Sequence, residues 1–166
     1  YSVAMMSGEL FEIDAMRMAV SRKILTKPTN NMKNHSMHNM SHKNMKKMDH
    51  SHMMSNSDKK GMAAMGHMAM GHKMPPEKPT WVYPHPNDKF VYVVNNGTDN
   101  VVEVDVDNWK ITRTFNTDKG PYNCEVSDDG KFLVVTYKTA GKLGVWNLKT
   151  GKEVAKFKNS RKITHG

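Results

Sequence analysis

From residue 90 onward, β-branched and aromatic residues are concentrated in short runs, over residues 90–94, 101–106, 110–115, 131–137, 142–148 and 153–157, separated by turn-forming residues. Runs of this length and content predict strands. Asn96-Gly97, Asp129-Gly130 and Thr150-Gly151 stand between the runs as turn signals. No long segment carries an amphipathic helical stripe, so the expected fold class is all-β.

The runs recur with a period of 42. Pro79 matches Pro121, Lys89-Phe90 matches Lys131-Phe132, Val104 matches Trp146 and Phe115 matches Phe157. Four short strands per unit, at a period of roughly 40 to 45, is the sequence form of a β-propeller blade, whose sheet is buried only by stacking on its neighbours. Residues 9–14 (ELFEID) and 22–26 (RKILT) align without a gap on residues 100–105 (NVVEVD) and 113–117 (RTFNT), at an offset of 91. One period subtracted from 91 leaves an insertion of 49 residues between consecutive blades. The expected organisation is the end of a blade over 1–26, an insertion over 27–78, blades over 79–118 and 119–159, and the start of another over 160–166. Tyr1 falls in mid-strand, and Gly166 falls where a further inner strand should begin. The chain is therefore expected to be an internal piece of a longer propeller.

Composition changes this picture in one place. Of 16 methionines and 9 histidines in 166 residues, twelve and seven lie in residues 27–78, which contain no Val, Ile, Leu, Phe, Tyr or Trp. Such a segment cannot repay the entropy of ordering its backbone and is expected to be a long disordered loop. Nine lysines against three acids give it +6 of the chain's formal +9. It holds neither arginine nor an aromatic, which argues against nucleic acid as its partner. No apolar run is long enough for a transmembrane helix, and a single cysteine excludes a disulfide framework or a thiolate zinc site.

Thioether is a soft, uncharged ligand that selects Cu(I), and imidazole holds either oxidation state of copper. The expected metal ligands fall in groups. Met32, His35, Met37, His38, Met40 and His42 come first, then Met45, Met48, His50, His52, Met53 and Met54, and then Met62, Met65, His67, Met68, Met70, His72 and Met74. Spacings of one to three residues allow two to four donors around one ion. A Met-rich packing surface, a low-complexity linker or an oxidant sink would each explain methionine. None of them calls for histidines interleaved with every methionine group. Met5, Met6, Met16 and Met18 fall in the first partial blade and are expected to need no metal.

Residues 90–97 (FVYVVNNG), 100–105 (NVVEVD), 127–136 (SDDGKFLVVT) and 145–148 (VWNL) resemble the YVTN family of β-propellers, related to the haem d1-binding propellers of cytochrome-type nitrite reductases. The wording of the insertion resembles the Met/His-rich segments of periplasmic copper-resistance proteins. These resemblances imply an extracytoplasmic, periplasmic β-propeller that binds copper for storage, delivery or resistance, with another copper-handling or redox protein as a partner. They also imply an alternative, a haem d1-type redox propeller. Trp81, Asn123 and His165 share the inner-strand position of the repeat and are the cofactor candidates at the mouth of the channel. A metal-independent partner-binding scaffold is a further alternative. His85, between two prolines, is expected to be a solvated loop residue, and Cys124 to pack between blades. No catalytic constellation is visible.

Overall fold

The described residues fold into eleven strands in three antiparallel sheets. The computed structural model describes residues 1–28 and 74–158. The first sheet, blade A, contains β1 (Ser2–Ala4), β2 (Glu9–Asp14) and β3 (Ala19–Leu25). Blade B contains β4 (Pro79–Pro84), β5 (Phe90–Asn95), β6 (Asn100–Asp105) and β7 (Lys110–Asn116). Blade C contains β8 (Pro121–Val126), β9 (Phe132–Tyr137), β10 (Lys142–Asn147) and β11 (Lys152–Lys158). Each sheet is an up-and-down meander in sequence order, the form of a propeller blade.

The repeat is written into the backbone as well as the side chains. Register shifts occur between Glu12 and Ile13, between Glu103 and Val104, and between Val145 and Trp146, at one repeat position. The inner strands shift likewise between Pro79 and Trp81 and between Pro121 and Asn123. Every positive-φ residue among the described ones also falls on a shared position: Lys78 with Gly120, Asp88 with Gly130, Gly8 with Asp99 and Gly141, and Met18 with Trp109 and Gly151. At each of these positions at least one repeat uses glycine, and two of the five other residues are aspartate, which tolerates the left-handed region.

Burial follows from the stacking of the blades. In blade B, β5 is buried on both faces, because Val91 and Val93 pack toward Leu10 of blade A while Tyr92 and Val94 pack toward blade C. In blade C, β9 alternates, with Leu133, Val135 and Tyr137 buried against blade B and the residues between them only partly covered. A strand between two neighbours thus reads as a continuous apolar run, and a strand covered on one side reads as an alternation. The two inner strands, β4 and β8, do not stand out by alternation. Each opens on proline and carries a register shift, so only the 42-residue period reveals them.

Among the metal candidates, Met74 lies within the described residues, whereas those from Met32 to His72 lie outside them, as does His165.

Candidate functional site

The place where the Met/His insertion leaves and rejoins the blades is built from four short segments. Thr26, at the end of β3, is fully buried. Its N–H and hydroxyl both donate to Gly8 O, at 2.9 and 3.1 Å. Its carbonyl accepts from Asn95 Nδ2 at 2.8 Å. On the returning side, Glu77 O accepts from Gly97 N at 2.8 Å, and Lys78 O accepts from Asn96 N at 3.2 Å. Three consecutive residues of the β5–β6 turn, Asn95 to Gly97, therefore hold both ends of the insertion. Gly97 is required by close approach, since a Cβ there would fall 1.9 Å from Pro76 O. In the sequence Asn96-Gly97 shows only as a turn signal. The clamp depends on partners about 20 and 69 residues away, which no local pattern reveals.

The turn after β1, Met5 to Gly8, is closed by Gly8 N donating to Ala4 O at 2.9 Å. It lies against the same junction, because a Cβ added to Gly8 would fall 2.8 Å from Pro75 Cβ and 3.9 Å from Glu77 Oε2. Met5 and Met6 on this turn are 43% and 67% exposed, and Met74, next to Pro75, is 38% exposed.

Trp81 and Asn123 occupy equivalent positions on neighbouring inner strands, and Thr80 Oγ1 donates to Tyr122 O at 2.8 Å just before them. Their surroundings differ. Trp81 is 43% exposed, whereas Asn123 is 8% exposed and its Oδ1 has no hydrogen-bond partner among the described residues. Asn123 lines a cavity of about 180 Å³ with Cys124, Glu125, Val134, Thr136 and Leu143. Cys124 is buried in the core between blades B and C, where desolvation, aided by the charge of Glu125, pushes its thiol well above the ordinary range. It packs as a small apolar residue.

His85 differs from the solvated residue expected of it. It is half-buried, its Nδ1 accepts from Asn87 N at 3.1 Å, and its Nε2 lies 3.1 Å from Gly130 O. Nε2 therefore carries the proton and donates across the blade boundary. The ring takes the space a Cβ on Gly130 would need, 2.6 Å from His85 Cε1. It fastens the β4–β5 hairpin to the β8–β9 hairpin.

The blades are also joined by a repeated polar latch. Glu12 receives Arg22 Nε at 2.7 Å and Nη2 at 2.5 Å, and Arg22 Nη1 donates to Val106 O of blade B at 2.9 Å. One unit later, Glu103 pairs with Arg113 through Nε at 2.8 Å and through Nη2, and Arg113 Nη1 donates to Leu148 O of blade C. Thr112 Oγ1 and Tyr92 OH complete the shell around Glu103, at 2.7 and 2.9 Å. The alignment at offset 91 contained both Glu and both Arg, but their pairing appears only once the strands are in register. At the same positions blade C has Val134, Val145 and Ala155, and so carries no latch there.

Among the described residues no group of three or more His, Cys, Asp or Glu converges as a cation site. No protein-family model and no curated protein sequence matches the chain. Solved structures are similar in fold. The Kuenenia stuttgartiensis hydrazine synthase aligns with a TM-score of 0.49 and 21% identity, over 59% of this chain and 27% of that one. The β-propeller domain of Myceliophteria thermophila Cps50 (Swd1) gives 0.45 and 20%, over 49% and 26%. Dihydro-heme d1 dehydrogenase NirN in complex with DHE gives 0.44 and 21%, over 48% and 17%. The alignments thus span roughly a quarter or less of those structures' lengths. The blade form itself rests on the three up-and-down antiparallel meanders described above.

Proposed function

We propose that the chain belongs to an extracytoplasmic β-propeller of YVTN type that binds copper, chiefly Cu(I), through the Met/His-rich insertion, for storage, delivery or resistance. The observation that carries this reading is the segregation of donors: twelve methionines and seven histidines occupy a stretch with no aliphatic or aromatic core residue apart from methionine and three alanines. Methionine in that setting has no core to fill, and thioether with imidazole is a donor set suited to copper. The junction is compatible with the same reading, because the described residues on either side of the insertion are both tied to one turn of blade B.

Copper would move by ligand exchange. Closely spaced weak donors keep the local donor concentration high, so an ion passes from one group to the next, or to a copper-handling or redox partner, without full release. The test is Cu(I) titration of the whole chain against a competing chromogenic chelator. Replacing the methionines from Met32 to Met70 by leucine should remove most of the bound equivalents, and undiminished binding would refute the proposal.

A further inference from the structure

The described residues carry soft donors of their own beside the insertion. We propose that Met5, Met6 and Met74 form a thioether site for Cu(I) on the edge of blade A, at the root of the insertion. The inference rests on the copper reading for the identity of the cargo, but its ligands are independent of residues 29–73.

Three observations bring the segments that carry these residues to one place. The Met5–Gly8 turn is closed on itself by the Gly8 N–H to Ala4 O bond. Gly8 is held against the returning chain, with its carbonyl taking both donors of Thr26 and its α-carbon facing Pro75. Met74 directly precedes Pro75, one Cα–Cα step of about 3.8 Å away. Two adjacent methionines thus lie on a closed turn whose Gly8 packs against Pro75, the residue next to a third methionine, and the unbranched methionine side chain adapts readily to meet its neighbours.

All three remain exposed although each is large and apolar. Hydrophobic packing explains a buried methionine, and these three are not in the core clusters. Met16 and Met18, at 94% and 85% exposed, provide a contrast. They lie on the β2–β3 turn at the other end of β2, separated from Met5 and Met6 by a six-residue strand, about 20 Å long. The Glu77 carboxylate beside Gly8 adds negative charge near the proposed cation. With no histidine or cysteine at the junction among the described residues, the donors are soft, which favours Cu(I) or Ag(I) over Zn(II).

The experiment uses the whole chain in four forms: wild type, M5L/M6L, a variant with every Met and His from Met32 to His72 replaced by Ser, and the combination. Cu(I) retained against a chelator is the readout. The serine variant should keep about one equivalent, and adding M5L/M6L should weaken its binding at least tenfold. A serine variant that binds no Cu(I), or one whose binding is unchanged by M5L/M6L, would overturn this site while leaving the insertion reading intact. A serine variant that keeps all of the wild-type copper would instead refute the insertion reading. Peroxide oxidation of wild type, read by peptide mass spectrometry with Ag(I) as a redox-inert ion, covers the case of a variant that fails to fold. Bound Ag(I) should protect Met5 and Met6 but not Met16 and Met18, and equal oxidation at all four would overturn the proposal.

Discussion

The side-chain amide of Asn95 donates to the main-chain carbonyl of Thr26 at 2.8 Å, across 69 residues of sequence. The same Nδ2 lies 3.0 Å from Asn100 Oδ1. Thr26 is the last buried residue before the insertion, so this bond holds the outgoing chain to blade B while Gly97 N holds the returning chain. Asn95→Ala removes a buried donor and leaves the Thr26 carbonyl uncompensated, at an expected cost of about 1–3 kcal/mol. Urea denaturation of the whole chain should show a lowered midpoint, and amide exchange should rise at Thr26. Unchanged protection there would show that the clamp does not hold the chain.

The Glu103–Arg113 latch makes a non-additive prediction. Glu103 is 2% exposed, so Arg113→Ala leaves a buried carboxylate without its main partner, at an expected cost of about 3–5 kcal/mol, less any relief from water reaching the partly exposed site. Blade C shows an apolar solution at the same positions, Val134, Val145 and Ala155. The combined Y92V/E103V/R113A variant should therefore be more stable than R113A alone, although it removes more side-chain atoms. A triple variant less stable than R113A would mean that the latch contributes through packing rather than through satisfaction of charge.

Acid should weaken the blades through the same groups. Burial alone would raise the Glu103 pKa, but hydrogen bonds from Arg113, Thr112 and Tyr92 outweigh burial and leave it lowered. Hydrogen bonds from Arg22 lower Glu12, and those from Lys142 and then Lys156 lower Asp118. A carboxylate with a lowered folded pKa contributes stability that is present above its unfolded value, and that contribution is lost as pH falls through the folded value. Urea midpoints should be nearly flat from about pH 7 to about 5 and fall below about pH 4, the ordinary carboxylate range. Glu103→Gln should reduce the slope of that fall. Parallel curves for wild type and E103Q would remove Glu103 from the set.

The blade repeat was legible in the sequence because its period recurs in residues that serve the backbone. Gly130 and Asp88 share a left-handed position, as do Gly141 and Asp99. Between-blade chemistry was much less legible. His85 meets a carbonyl 45 residues away, and nothing near Pro84 or Pro86 signals that contact. Trp81 and Asn123 illustrate the same limit: one repeat position, yet one residue is exposed and the other buried, because burial depends on what the adjoining blade contributes.

Cys124 bears on any copper measurement, because a thiolate would outcompete thioethers for Cu(I). The structure removes it from that competition. Cys124 is 2% exposed within the core between blades B and C, and burial pushes its thiol well above the ordinary range, so the thiolate is scarce at neutral pH. A disulfide-exchange reagent should label the native chain far more slowly than the urea-unfolded chain. Cys124→Ala should leave the Cu(I) stoichiometry unchanged while lowering stability by roughly 1 kcal/mol through the small void it creates. If C124A lost a copper equivalent, the donor at that site would be sulfur from the core rather than from the methionines, and the blades would have to open for copper to enter.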